Sequence, residues 1–514
     1  MKNATRAIIV SSAFAVFPSS FFLLPSSFFI VFALAQRSTG AIDGQESTGL
    51  SGWWPGLESS EAPAEAPSSL AGRPGLPKTP APATQTQGMD YLTFNSQADT
   101  YMASSWQGVS SCAATACHGD SGLRGSKRSE YLTWVTYDKH ASAYSVLLTR
   151  RSQLIETNYR GHKVIEQAHP ETDMSCLKCH ALMSADHRLE RHLQDGVACE
   201  SCHGPAEKWR TVHYLPGFKE KSDQEKYQEF GMLPTKNLLY RARMCAECHV
   251  GSPGREVNHD LYAAGHPPLH FEFGAYLAIM PKHWSEEEEK RRHPDLEVKA
   301  WALGQALSAR AALQLLAWRA ETKTRPWPEY AEYGCYACHH DLRAKSQRQE
   351  PRHYAGRRPG ALLWGEWFTT NLSDAVDSAI RVGDLSNLQE GLAKIKAGMA
   401  KPFPDRDEIA QQANRLAGRL EQLAAKLEEV QFNGASVDKM IRSVAERELP
   451  ADPTDWDKQA QVCLALAALY HGLGDLDPNR RDPAMKEHLK MRLNRLAFPP
   501  GFDSPWGFGS KSRE

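Results

Sequence analysis

The feature that most constrains how this chain can fold is a set of ten cysteines in five close pairs, each pair followed at once by a histidine. The sets are Cys112/Cys117-His118, Cys176/Cys179-His180, Cys199/Cys202-His203, Cys245/Cys248-His249 and Cys335/Cys338-His339. Of the eleven cysteines only Cys463 falls outside the pattern. An even set in an exported protein suggests disulfides, but a disulfide has no use for a histidine fixed after each pair. Zinc would take two pairs per site and would not require that histidine either.

Cys-x-x-Cys-His is the attachment signal of c-type haem. Two thiols add to the vinyl groups on one porphyrin edge, and the next histidine falls beneath the iron as its proximal ligand. The chain's own Cys and His frequencies give roughly 0.01 such pentapeptides by chance, against the four present. The first set, "CAATACH", has four residues between its cysteines and needs a loop that bulges outward. The sequence therefore predicts five covalent haems on these ten cysteines, with His118, His180, His203, His249 and His339 as proximal ligands. After these are removed, thirteen histidines remain between His140 and His353, enough for a second imidazole at every iron. Two axial imidazoles give a lower potential than a His/Met pair.

The rest of the chain divides around this region. Lys2 and Arg6 precede a mostly apolar stretch from Ala7 to Ala35 that ends in Ala-Leu-Ala, which reads as an export signal cleaved after Ala35. A retained membrane anchor is the alternative, and Pro18 and Pro25 within the stretch favour cleavage. Either way the remainder lies outside the cytoplasm, so the periplasm is expected. Residues 36–90 are rich in Pro, Ala and Ser without apolar periodicity, as a disordered linker would be. Residues 91–355 carry every haem motif and are cut by Gly and Pro, which suits a region whose centre is filled by haems and whose haem-free form is largely unfolded. Within it, Leu296 to Glu321 has the pattern of a long helix with a broad apolar face. The acidic run Glu286 to Glu289 just before it reads as a solvated first turn.

From about residue 356 to 500 the pattern changes to that of a helical bundle. Ile409, Ala413, Leu416, Leu420, Leu423, Leu427 and Val430 alternate at spacings of four and three, as on a helix packed along another. Further helical patterns cover roughly 361–381, 385–399, 436–447, 455–471 and 484–496, and 501–514 is a tail. Cys463 reads as a buried free thiol, and His471 and His488 as ordinary helix residues. The expected fold class is mainly α: an irregular multihaem domain with little regular sheet, then an all-α bundle. Lys+Arg (60) and Asp+Glu (61) nearly cancel, so no nucleic-acid footprint is expected.

The stretch "GVACESCHGPAEKW" after "CLKCH", and "WVTYDKHASAY" after the first motif, resemble the cytochrome c-554 family of multihaem electron-transfer proteins. The resemblance covers about Gly108 to His249. It implies that His213 caps the haem of His118 and that His140 caps the haem of His249. It also implies a distal ligand for His203 from "NHDLYAAGHPPLHFEF", with His266 favoured over His259 and His270, and an open face on the iron of His180. The expanded first motif, the fifth haem and the bundle lie outside the family's tetrahaem pattern. For the fifth haem, His259 and His283 are the best candidates. His162, His169, His187 and His192 are each able to cap the second haem and close its open face.

Two functions fit. One is a carrier passing electrons between periplasmic or membrane redox proteins, with the bundle as a possible dock into a larger redox complex. The other is an oxidoreductase acting on a small nitrogen or sulfur compound at one open haem. Replacing Cys112 and Cys117 with serine should lower the mass of the mature protein by one haem; an unchanged haem count would remove the expanded motif from the attachment sites.

Overall fold

A computed structural model describes residues 106–182, 190–335, 338–339, 361–379, 382–446, 456–480 and 482–496. The expected export signal, the whole linker, the tail, His187 and His353 lie outside the described residues. The protein is mainly α, and among the described residues there is no strand, only two isolated bridges. No helix among them is long and apolar enough to cross a membrane.

The first helices are α1 (Glu130–Tyr137), α2 (Arg150–Arg160), α3 (Met174–His180), α4 (Cys199–His203), α5 (Pro216–Lys219), α6 (Asp223–Phe230) and α7 (Leu238–His249). They are short because each is stopped by a turn or glycine. α2 ends at Gly161 and α6 at Gly231, both left-handed. Side-chain packing here is sparse: Trp106 with Leu182, Leu147 with Leu177 and Ala181, and Ala206 with Trp209 and Phe218 form separate small clusters.

α8 (His259–Ala263), α9 (Phe273–Ile279), α10 (Glu286–Arg292) and α11 (Leu296–Glu321) follow. α11 is 26 residues long and buried nearly all round, so its pattern is that of a central helix more than a one-faced one. The acidic run forms α10, but Glu289 is not solvated. It is buried, and it accepts from Arg241 (2.8 Å) and from the Trp284 indole (2.6 Å), which compensate its charge.

The remaining helices are α12 (Leu372–Val376), α13 (Val382–Met399), α14 (Arg406–Glu429), α15 (Gly434–Ala445), α16 (Trp456–Leu476) and α17 (Pro483–Leu496). The helical pattern over 361–381 condenses to the short α12 and one 3-10 turn. α14 is started by Asp405, whose carboxylate accepts from the Glu408 amide at 2.9 Å. Its alternating residues from Ile409 to Leu427 are all buried. That stripe lies along α11, and α7, α12 and α16 also pack on α11.

One hydrophobic core consequently runs from Leu238 on α7 to Leu489 on α17, across the position where the haem motifs end. Glu421 of α14 reaches both Arg243 of α7 and Arg310 of α11, a further link between the bundle and the helix that carries the fourth motif. Cys463 is buried among Trp367, Trp456 and Leu464, and burial pushes its thiol up to about 12.

Because α7 shares this core, the bundle and the fourth haem site should lose structure together. Leu420→Ala should destabilise the protein by about 2–5 kcal/mol. Helicity and haem absorbance should fall in one transition during denaturant titration; two separated transitions would disprove the shared core.

Candidate haem sites

The Cys-x-x-Cys-His spacing works because a helical turn puts its three reactive side chains on one face. The second, third and fourth motifs lie at the ends of α3, α4 and α7. On α7, Leu239, Ala242 and Ala246 lie in the core, while Cys245, Cys248 and His249 line the cavity. The expanded first motif is a turn, in which the amides of Cys117, His118 and Gly119 all point to the Ala114 carbonyl at 2.8–3.1 Å. Gly119 is required there, since a Cβ would lie 2.0 Å from the Ala113 carbonyl oxygen.

These four motifs line one continuous cavity of about 3470 Å³. That is several times the ~300–1,000 Å³ of a pocket for one small ligand. His140, His213, His266 and His283 line it as well. The fifth motif lies outside this cavity, and its His339 faces His259.

Each motif histidine stands opposite one other histidine. The ring centres are 6.0 Å apart for His118 and His213, 5.9 Å for His249 and His140, and 6.5 Å for His180 and His266. They are 6.2 Å apart for His203 and His283, and 6.4 Å for His339 and His259. Two imidazoles bonded to one metal at about 2.0–2.1 Å would have centres roughly 6.2 Å apart. The residues present therefore fit hexacoordinate haem iron, with two cysteines beside each motif histidine to anchor the porphyrin.

Hydrogen bonds fix six of these ten rings through Nδ1, which leaves Nε2 as the free donor. His118 Nδ1 donates to Glu130 at 3.0 Å, and His140 Nδ1 to Asp138 at 2.9 Å. The Nδ1 groups of His180 and His266 donate to the carbonyls of Ala143 and Pro267, both at 2.8 Å. His213 donates to the Arg210 carbonyl at 2.8 Å, and His203 lies 3.3 Å from the Thr235 hydroxyl. Burial holds His203 and His249 down to about 3, which keeps them neutral and able to coordinate. The Glu130 hydrogen bond raises His118; burial pushes His140 down, but Asp138 outweighs it and the net direction is up.

The structure re-sorts two of the expected pairings. His266, favoured as the partner of His203, faces His180, while His283 faces His203 in its place. His283 is thereby removed from the fifth site, where His259 stands. The reason is the turn after α8, which aims His266 at α3. His162 lies 3.9 Å from Glu156, His169 3.2 Å from Glu171, and His192 3.4 Å from Asp195. His270 packs on Trp367 with ring centres 4.4 Å apart.

Glu130, Asp138 and Thr235 escaped the sequence reading. Asp138 had a legible signal, since it sits two residues before His140 and caps the next turn by accepting from the His140 amide at 3.0 Å. A carboxylate on Nδ1 makes an imidazole a stronger donor. Glu130→Gln should therefore raise the potential of the His118 haem, and Asp138→Asn that of the His249 haem, in a spectroelectrochemical titration. Unchanged potentials would show that neither carboxylate tunes its ligand.

The family model of cytochrome c554 and c-prime matches residues 111–204, a segment that contains the first three motifs and His140. No curated protein and no solved structure matches the chain. Over that segment the chain is similar to the c554 family of cytochromes, which supports haem binding by the motifs within it.

Proposed function

We propose that this protein is an exported five-haem cytochrome c that carries electrons between redox partners. The observation that carries the reading is the set of five histidine pairs, each with one motif histidine and a ring separation of 5.9–6.5 Å. When bound, haem iron takes up or gives one electron. The chain's own residues would hold each porphyrin by two thioethers and two facing imidazoles, six of the ten rings being fixed through Nδ1 hydrogen bonds, and four of the sites share a mostly apolar cavity wall.

The thiols support an electron route. Cys112 of the first motif lies beside Cys199 of the third, and Cys179 of the second beside Cys248 of the fourth. Cys202 of the third lies close enough to Cys245 and Cys248 of the fourth to interact electrostatically. Porphyrin edges anchored there would be neighbours in the order first, third, fourth, second. Two imidazoles at every iron leave no open coordination position for a substrate, which favours the carrier over the oxidoreductase. Bis-imidazole ligation also favours low potentials.

The N-terminal pattern supports export with cleavage after Ala35, and a periplasmic location suits covalent haem attachment. Periplasmic or membrane redox proteins are the fitting partners, with the bundle available to dock into a larger complex.

Mass spectrometry of the mature protein should show five haems, and paramagnetic resonance should show all five ferric irons low-spin. A high-spin signal that shifts with nitric oxide, nitrite or hydroxylamine would overturn the carrier reading. His266→Ala and His213→Ala should each turn one haem high-spin while five remain attached.

A further inference from the structure

The second and fifth haem sites draw a ligand from the same short element. His259 is the first residue of α8 and faces His339, while His266 follows three residues after the helix and faces His180. Five helical residues rise only about 6–8 Å, so seven positions of chain connect the two sites.

Both ends of this element are fastened. Asn258 caps α8 by accepting from the Leu261 amide at 3.0 Å. The His259 amide donates to Glu329 at 2.9 Å, and the ring of Tyr330 meets that of His259 at 5.7 Å between centres. Glu329 and Tyr330 stand just ahead of the fifth motif. At the other end, Asn158 of α2 donates to the Ala264 carbonyl (3.4 Å) and Arg151 to the Gly265 carbonyl (3.3 Å). Gly265 has φ +114°, a left-handed backbone that glycine adopts without strain, and the His266 amide then bonds back to the Leu261 carbonyl at 3.1 Å. The turn thus fixes the direction of His266 relative to His259.

Exposure agrees with this arrangement. Of the ten motif cysteines, Cys117 of the first and Cys338 of the fifth are exposed, and the other eight are half-buried. Those two motifs are the ones that the thiol contacts and α8 leave at the ends.

We propose that α8 and its Gly265 turn couple the second haem site to the fifth, so that the fifth haem extends the tetrahaem route at its second-haem end and forms one surface terminus of it. The proposal rests on the five-haem reading above. With haem bound, each transfer would pass one electron from a ferrous to a neighbouring ferric iron with no bond made or broken, and redox proteins at the termini would supply and remove it. The same element has a second consequence: by seating His266 it closes the iron face that an open second haem would need.

Neighbouring irons repel each other's charge, so oxidation of one changes the potential of the next. The test is a spectroelectrochemical titration of the full mature protein against Cys335→Ser/Cys338→Ser, with haem count by mass. The expected result is four remaining haems, of which the His180 haem shifts most in potential. It is identified by repeating the titration with His266→Ala, which makes that haem high-spin. A largest shift at the His118 haem, or no shift at any of the four, would overturn the coupling. Gly265→Ala gives an independent readout: it should disturb the low-spin signal of the His180 haem and leave that of the His118 haem unchanged. An equal effect on both would also overturn it. A wild-type protein with fewer than five haems would instead refute the five-haem reading itself.

Discussion

Everything in the haem-motif part of this protein depends on two imidazoles facing each other across the width of one metal ion. A gap of that width is costly unless it is filled, because its walls give up their packing contacts. Six of the ten rings are oriented because Nδ1 is tied to a carbonyl, a carboxylate or a hydroxyl. His180 held by Ala143 and His266 held by Pro267 show the device with backbone alone. His118 on Glu130 and His140 on Asp138 add charge to it, which separates the expected electronic character of those two sites from the rest.

The helical bundle answers a problem the motifs create. Between Trp106 and Leu233 the described residues form only small side-chain clusters, too little apolar burial to hold a fold by themselves. α7 solves this by serving two environments, with Leu239 and Ala246 in the large core and Cys245 and His249 at the cavity. α11 and α14 press on it from the other side, and the Glu421 contacts to Arg243 and Arg310 pair charges that would be costly to bury alone. The bundle is therefore continuous with the haem region and braces one wall of it.

Much of this was legible in the residues. The attachment sites follow from covalent chemistry that leaves a fixed local spacing. The stripe of α14 and the length of α11 follow from helical periodicity. Glu289 was misjudged because its charge partner, Arg241, comes from α7, a separate stretch of chain. The pattern over 361–381 overstated a helix because short amphipathic segments look alike whether or not the backbone continues.

The sequence by itself determined which cysteines can hold haem, which histidines are placed next to them as candidate iron ligands, and the pool from which opposite ligands could come. Only the tertiary structure decided which of that pool faces which motif, placing His266 against His180 and His283 against His203. The physical reason is range. Attachment is set within one helical turn, whereas an opposing imidazole arrives from a segment tens of residues away, and its aim depends on a turn such as that at Gly265.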